Sequence, residues 1–328
     1  MSASTKTIIR KNDGSEYRIF TRNMEIGEVK IEEREVGGFN AKLIFLNNMV
    51  VGIATDVGPR ILYVASSKRS EFNLFGVLPE AGVQTPEGFW RIYGGHRFWS
   101  SPEAMPRSYS MDDKSVKIEV GDDNVVVRAD PEIGNSVQKE ITISPLSENS
   151  VRVAHTIENI GRWPIRLGCW ALSVMRQNGF AVVPLRSSKV DREGLLPDRH
   201  ITLWPYTDPS DKRLMLTNEF IFVEQNPKIE KPIKIGTMAN PTWAAYWVDG
   251  MAFVKQFSQE EEEYPDFGCS VEVYTNASML GLETLGPLKT VNPSVRIQHT
   301  ETWKILDVGE LTPEPNSVRE KLEVLLKK

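Results

Sequence analysis

The amino-acid sequence predicts an all-β, antiparallel fold with a short helix at its C-terminal end. Short segments rich in Val, Ile, Thr and aromatic residues recur along the chain, and Gly, Pro, Asn or Asp bounds most of them. Because little helical periodicity separates these segments, successive strands should pair antiparallel. No repeat of propeller-blade length occurs. These observations favour a large sandwich or two barrels over a propeller.

The predicted strands occupy two stretches of the chain. In the first stretch they span 28–33, 41–45, 50–55, 61–65, 115–120, 124–129, 137–143, 150–157, 165–174 and 180–184. After a loop-rich segment they span 214–216, 220–223, 242–248, 251–256, 269–275, 279–284 and 294–306. Residues 121–124 and 148–149 have the composition of hairpin turns between alternating strands.

The C-terminal tail, 315–328, is the segment that clearly favours a helix. Ser317 is the expected N-cap, with Glu320 three residues later. The predicted apolar stripe of this helix is Val318, Leu322, Leu325 and Leu326. No linker or low-complexity run divides the rest of the chain. We therefore predict one β-sandwich domain at 1–312 and a C-terminal helix at 313–328.

Composition restricts the classes of partner. The 328 residues carry a net charge of −5, which leaves no basic excess to hold a nucleic-acid backbone. No window approaches a membrane span, and the N-terminal segment lacks the apolar core of a signal peptide. Cys169 and Cys269 lie in apolar runs, which favours reduced, buried cysteines over a disulfide. We expect a cytoplasmic monomer or homodimer that binds neither nucleic acid nor membranes.

The sequence carries no ordinary signature of a cofactor or metal site. Its four histidines are isolated and its two cysteines are far apart, so the usual metal-ligand spacings do not occur. It has no Gly-rich phosphate loop and no nucleophile elbow. The glutamate run at 260–263 is typical of a solvated turn, with a cation site as the alternative. We expect neither a cofactor nor a metal.

The segment 90–103, WRIYGGHRFWSSPE, is the first candidate for a binding site. Its Gly-Gly pair gives the backbone freedom to approach another group closely, and His96, Arg97 and Trp99 follow at once. Aromatic faces beside hydrogen-bonding side chains are typical of carbohydrate sites. The alternative is a buried cluster of Trp and His that pins a loop to the sandwich.

Glu283 is the candidate general base. It lies among the leucines of the segment 278–293, SMLGLETLGPLKTVNP, just before a Gly-Pro pair that ends any strand. A carboxylate held at a strand end by apolar neighbours is suited to remove a proton. The alternative is a glutamate that faces solvent from an ordinary strand.

Several further ionisable residues leave two interpretations open. Arg60 begins a strand after a turn, and it either points into a cleft or pairs with an acid such as Asp56. The residues of the segment 254–272 that lie on or beside strands are more typical of surface or ion-paired side chains than of catalytic ones; they are Lys255, Asp266 and Glu272.

The remaining candidates are a loop and two histidines. The loop that carries His200, Trp204 and Asp208 is either a binding loop or a loop anchored by its aromatic residue. His155 and His299 lie inside alternating strands, and we expect both to be structural.

The chain resembles the galactose mutarotase (aldose 1-epimerase) superfamily over residues 28–306. The markers follow the family's order: GPRIL at 58–62, GGHRFW at 94–99, the strand pair beginning at 155–164, LET at 282–284 and HTETW at 299–303. An uncharacterised branch of the superfamily carries segments similar to GGHRFW, YPDFG at 264–268 and LETLGP at 282–287. The fold implied by the resemblance is the β-supersandwich.

The mechanism implied by the resemblance is acid–base opening of a sugar ring. A Glu removes the proton of the anomeric hydroxyl while a His protonates the ring oxygen, and Glu283 falls on the base position. Trp170, in LGCWAL at 167–172, lies where the family has its acid, and an indole N–H can only donate a hydrogen bond. His96 is then the candidate replacement acid, or a sugar ligand.

The resemblance also implies a small-molecule carbohydrate ligand. Its expected binding residues are Arg60, Arg97, Trp99, Trp170, Trp204, Lys255 and Glu272. If the sugar is a uronate or a sugar phosphate, the arginines would clamp its anion. Two alternatives to the epimerase stay open. One is a non-catalytic sugar-binding or sensing protein, and the other is a lyase or hydrolase that recruits Lys255, Glu272 or Asp266.

Overall fold

The fold is described from a computed structural model, which covers residues 6–10, 16–22, 24–188 and 191–327. The first strands are β1 (Lys6–Arg10), β2 (Glu16–Arg22), β3 (Met24–Val36), β4 (Phe39–Leu46), β5 (Met49–Ala54), β6 (Arg60–Ser66), β7 (Val77–Thr85), β8 (Gly88–Gly94), β9 (His96–Ser101), β10 (Lys117–Val120), β11 (Val125–Arg128), β12 (Val137–Ser147) and β13 (Ser150–Asn159).

The strands of the second half are β14 (Ile165–Met175), β15 (Phe180–Pro184), β16 (Thr202–Leu203), β17 (Leu214–Leu216), β18 (Phe220–Glu224), β19 (Ile233–Thr237), β20 (Trp243–Val248), β21 (Met251–Phe257), β22 (Val271–Thr275), β23 (Leu280–Leu285), β24 (Lys289–Val291) and β25 (Arg296–Asp307). Helical turns are short. Three are 3₁₀ turns, at Ser67–Arg69, Arg107–Tyr109 and Ile133–Asn135; the others are α1 (Pro265–Gly268) and, in the tail, α2 (Pro315–Ser317), a π-helical turn (Val318–Glu323) and α3 (Val324–Leu326).

Two large antiparallel sheets make up the described part of the chain. The first sheet has the order β1-β2-β3-β4-β5-β6-β9-β14-β23-β22-β19-β16, with β24 paired to β14. The second has the order β10-β11-β12-β13-β25-β21-β20-β15-β18-β17, and β7 and β8 form a separate ribbon. The predicted all-β, antiparallel sandwich is therefore confirmed. Among the described residues, no helix is long and apolar enough to cross a membrane.

The two sheets pack face to face over one apolar core. Val51 and Leu282 of the first sheet share this core with Ile141 and Phe253 of the second. β14 is almost continuously buried because both of its faces are covered, whereas β12 alternates buried and partly exposed residues. The face of the first sheet that points towards the second sheet is called the inner face below, and the opposite one the outer face.

The C-terminal tail packs on the far side of the second sheet. Val318 and Leu322 are fully buried against Phe220 and Val254. The predicted N-cap is wrong, because the helical turns begin at Pro315, two residues before Ser317. The Ser317 hydroxyl instead accepts a hydrogen bond from the backbone N–H of Thr312 at 3.1 Å.

The Gly-Gly pair before β9 serves a close approach between strands. Gly94 and Gly95 have φ values of 82° and 63°, in the left-handed region that favours glycine. A Cβ on Gly95 would lie 2.3 Å from the carbonyl oxygen of Ile61. The backbone of β9 can therefore join β6 to β14 at the centre of the first sheet. The strand predictions from sequence missed β9, and they also missed β1, β2, β7, β8, β16, β19 and β24.

Candidate functional site

The candidate site is a row of polar side chains on the outer face of the first sheet. Directly opposite residues of antiparallel strands share a face. Glu272 of β22 lies opposite Glu283 of β23, Glu283 lies opposite Leu172 of β14, and Leu172 lies opposite Arg97 of β9. Arg97 in turn lies opposite Arg60 of β6. Strand pairing therefore brings together four of the predicted site residues, which come from β6, β9, β22 and β23.

Glu283 is a buried carboxylate with two donors. Its side chain is 4% exposed. The indole Nε1 of Trp170 donates a hydrogen bond to Glu283 Oε2 over 3.2 Å. The ammonium of Lys234 lies 3.1 Å from the same oxygen. The side chain that occupies the expected position of the acid thus orients Glu283, and a lysine supplies the cation beside it.

Lys234, in β19, is the functional candidate that sequence reasoning missed. Its Nζ lies 2.6 Å from Glu272 Oε2 as well as 3.1 Å from Glu283. It also lies over the rings of Trp170 and Trp204, at 4.6 and 4.5 Å from their centroids. Burial opposes its charge, but the two carboxylates outweigh burial and raise the pKa of Lys234. The signal in the sequence was a lone lysine between two isoleucines of a strand.

Glu272 is the second carboxylate on Lys234. It is completely buried, and burial together with the neighbouring Glu283 raises its pKa well above the ordinary value, although Lys234 opposes this. Apart from the ion pair with Lys234, neither carboxylate oxygen of Glu272 has a hydrogen-bond partner. Two carboxylates that share one ammonium hold the lysine in place.

Aromatic rings line the outer face beside this row. Trp99 lies opposite Trp170 in the strand register, with ring centroids 5.4 Å apart. Trp90 and Tyr109 pack on Trp99 at 5.2 and 5.0 Å. The Tyr109 hydroxyl donates a hydrogen bond to the Glu103 carboxylate. These four rings are called the aromatic wall below. Trp90, Trp99 and Trp170 are buried, at 2%, 6% and 1% exposed, so the wall packs chiefly on itself; its indole Nε1 at Trp170 reaches Glu283.

The two arginines of the row differ in their partners. Arg60 donates to the carbonyl oxygens of Ile92 and Gly94, both at 2.8 Å, and pairs with Asp112. Its guanidinium is therefore engaged, as one of the two sequence interpretations expected. Arg97 is 6% exposed and has no hydrogen bond or ion pair with any side chain in the described ranges.

His96 lies on the inner face, opposite in direction to its neighbour Arg97. It is completely buried, its Nδ1 lies 2.8 Å from Ser173 Oγ, and its Nε2 lies 2.7 Å from His155 Nε2. Burial and the nearby charge of Lys255 hold its pKa well below the ordinary value. The structure does not bring His96 to Glu283, because residues that point to opposite faces of a sheet are separated by the backbone.

The histidines belong to a buried hydrogen-bonded chain with one consistent proton assignment. His155 Nδ1 lies 3.1 Å from the carbonyl oxygen of His299, so Nδ1 carries the proton and Nε2 accepts from His96. Burial lowers the pKa of His155 to about 4 and that of His299 to about 3. Neutral imidazoles with satisfied nitrogens match the structural role expected for His155 and His299.

Lys255 forms an ion pair in the same interior. Its Nζ lies 3.0 Å from Glu301 Oε1, and both side chains are completely buried. Glu301 also accepts from Thr284 at 2.5 Å and from the indole of Trp303 at 2.6 Å. Burial works against ionisation of Glu301, but Lys255 and the other donors outweigh it and lower its pKa to about 2. Lys255 is therefore ion-paired, and the structure does not bring it to the outer face.

One group of side chains in the described residues has the composition of a metal site. Ligand atoms of His96, His155 and Glu301 all lie within 4.8 Å of one another. Each of these atoms already has a hydrogen-bond partner in the protein, and the Lys255 ammonium contacts the same carboxylate. The arrangement fits a satisfied polar core better than a cation site.

In the long loop and the YPDFG segment, one of the candidate residues contacts the site and the others make contacts within the loop or to neighbouring strands. Trp204 reaches Lys234, as noted above, whereas Asp208 pairs with Lys231 at 3.4 Å and caps its own turn. His200 anchors the loop, because its carbonyl oxygen accepts from Thr237 at 2.7 Å. The carbonyl oxygen of Asp266 accepts from Thr202 at 3.3 Å. Cys169 and Cys269 are both buried and free, as predicted.

Comparison with known proteins agrees with this architecture. Neither a protein-family model nor a curated protein matches the chain. A putative aldose 1-epimerase from Klebsiella pneumoniae matches with a TM-score of 0.54 at 12% identity, over 99% of this chain and 91% of that chain. A galactose mutarotase-like protein from Lactobacillus casei matches with a TM-score of 0.52 at 10% identity, over 84% and 100%. The chain has the galactose mutarotase-like fold.

A longer protein also matches this chain over part of its own length. A TPR-domain containing protein from Parabacteroides distasonis matches with a TM-score of 0.54 at 10% identity, over 89% of this chain. The chain spans half the length of that protein. Structural matches at such low sequence identity establish the fold alone, and this fold is the one implied by the sequence resemblance. The reaction has to be argued from the chemistry of the site.

Proposed function

We propose that this protein binds a carbohydrate on the outer face of the first sheet and interconverts its anomers, with Glu283 as the base. The observation that carries the proposal is the setting of Glu283. Its buried carboxylate is held by Trp170 and Lys234, in a row with Arg97 and beside the aromatic wall. A fixed carboxylate next to stacked rings suits proton removal from an anomeric hydroxyl.

Ring opening needs a proton for the ring oxygen as well as a base. Glu283 takes the proton of the anomeric hydroxyl, the ring C–O bond breaks, and the ring oxygen takes a proton. Lys234 is the protonated side chain that contacts Glu283, so we assign this proton to it. The raised pKa of Lys234 makes it a weak proton donor. Because a well-matched general acid contributes roughly 10²–10⁴ in rate, we expect slow turnover. His96 and Lys255, on the inner face, have no part in this scheme.

The experiment is exchange NMR on a panel of aldoses, uronates and sugar phosphates, read for line broadening and for anomer interconversion. The proposal expects faster interconversion of one sugar, lost in Glu283→Gln but kept in the control Glu262→Gln, which changes an exposed acid. Trp99→Ala should weaken binding by about 1–3 kcal/mol, because it removes a ring from the aromatic wall. Unchanged affinity in Trp99→Ala would contradict the position of the site.

A second candidate function is sugar binding without turnover. Two observations favour it: an indole stands where the family has its acid, and the carboxylates hold the Lys234 proton tightly. This alternative expects line broadening without faster interconversion, and a modest change of affinity in Glu283→Gln. If no sugar of the panel broadens, both candidates fail.

A further inference from the structure

Arg97 is the unsatisfied cation of the candidate site. A guanidinium has five N–H donors and no acceptor. In the described part of the chain no carboxylate or carbonyl oxygen accepts from Arg97, although its side chain is 6% exposed and its Nε is buried without a partner. Burying a charge without a partner is costly, so such groups are usually paired or coordinate a ligand.

The other cations of the same face already have anionic partners. Lys234 is shared by Glu272 and Glu283, and Arg60 is paired with Asp112. These contacts leave Arg97 as the cation of the row whose donors are open to a bound molecule. Its position also fits this role, since only Leu172 separates it from Glu283 along the row.

The rings around Arg97 hold it without satisfying it. The guanidinium carbon lies 4.5 Å from the ring centroid of Trp99 and 5.5 Å from that of Trp90. Stacking on a ring face orients the fork but accepts none of its hydrogen bonds in the plane. Burial lowers the pKa of Arg97 to about 10, so the group stays charged at neutral pH.

We propose that the substrate is a sugar that carries a carboxylate or phosphate group, and that Arg97 binds this group while Glu283 faces the anomeric hydroxyl. The proposal rests on the proposed function and adds the substrate class. Both kinds of anion present paired oxygens that match the guanidinium fork. Selection would follow from the cost of leaving Arg97 unpaired, because a neutral sugar supplies only hydroxyls to a buried charge.

Titration calorimetry at low salt tests the proposal with matched pairs of sugars. The pairs are galacturonate with galactose, glucuronate with glucose, and glucose 6-phosphate with glucose. Charged hydrogen bonds predict that one acidic sugar binds at least about tenfold more tightly than its neutral partner. The uronate and phosphate arms distinguish the two sources of the anion. In Arg97→Met the preference should disappear, while the control Arg91→Met, which changes an exposed arginine of β8, should keep it.

Each other outcome overturns a defined part of the reasoning. Equal affinity for acidic and neutral sugars, with turnover lost in Glu283→Gln, would refute the anion site and leave the proposed function standing. Inorganic phosphate or acetate binding as tightly as the acidic sugars would refute the sugar acid as the ligand. Binding of no sugar at all would refute the proposed function itself. Arg97→Met should also unfold at a temperature no lower than the wild type, which separates lost binding from lost folding.

Discussion

Replacing Lys255 by Met should destabilise the protein severely, although the residue contributes nothing to the outer face. The Lys255 ammonium neutralises Glu301 at 3.0 Å and also donates to the carbonyl oxygen of Ala171 at 3.2 Å. Both side chains of the ion pair are completely buried. Methionine fills the space of the lysine stem, so the change removes a charge and leaves little cavity.

The expected loss in the free energy of unfolding is about 3–5 kcal/mol, the usual cost of breaking a buried ion pair by removing one partner. Thr284 and Trp303 still donate to Glu301, but neither carries a charge. The double variant Lys255→Met/Glu301→Gln should recover most of the loss, because no uncompensated charge remains. Lys228→Met, at an exposed position, is the control and should change stability by less than about 0.5 kcal/mol.

The pH dependence provides a second test of the same reasoning. In the wild type the pKa of Glu301 is about 2, below its ordinary value of 4.5, so its contribution to stability is present above 4.5 and is lost as the pH falls towards 2. Without Lys255 the folded-state pKa should rise above 4.5, and the variant should then lose stability as the pH rises. Urea unfolding followed by tryptophan fluorescence at pH 5 and pH 8 measures both. A loss below about 1 kcal/mol at pH 8 would refute the reasoning.

Two further predictions concern the same buried groups and the outer face. The wild type should lose stability as the pH falls from about 6.5 towards 4, because His155 (pKa about 4) and His299 (pKa about 3) bind fewer protons in the folded state than in the unfolded state. The loss in the free energy of unfolding from His155 alone should reach about 3 kcal/mol at pH 4. A urea midpoint that stays constant from pH 7 to pH 4 would contradict this prediction. Lys234→Met should lower the free energy of unfolding by about 3–5 kcal/mol at pH 8, because Glu272 and Glu283 then face each other without a cation. Adding Glu272→Gln should restore most of this loss. Equal urea midpoints for Lys234→Met and the wild type would exclude the shared ion pair.

Local sequence patterns were sufficient for the fold class. The alternation of apolar and polar residues, with turn residues between the segments, predicted the strands of the second sheet, such as β12 and β13. These two strands also pair as a hairpin, because they lie next to each other in sequence. β9, a missed strand at the centre of the first sheet, is of another kind. β9 is wholly buried and rich in polar and aromatic residues, so its pattern does not alternate.

Locating the site required both the sequence and the tertiary structure. Glu283, Trp99 and Trp170 were identified from the sequence and do meet on one face. The assignment of His96 as the partner of Glu283 did not anticipate strand geometry. His96 and Arg97 are adjacent in sequence, yet successive side chains of a strand point to opposite faces, so only one of them can share the face of Glu283.

The sequence by itself therefore determined the class of fold and the residue types of the site, because period-two patterns and turn chemistry act over a few residues. Only the tertiary structure decided which side chains meet. The order β6-β9-β14-β23-β22-β19 joins segments that are distant in sequence, and a shift of one residue in any pairing would exchange the two faces. That register placed Lys234 between two carboxylates, left the buried Arg97 without an anionic partner on the outer face, and turned His96 and Lys255 into the core.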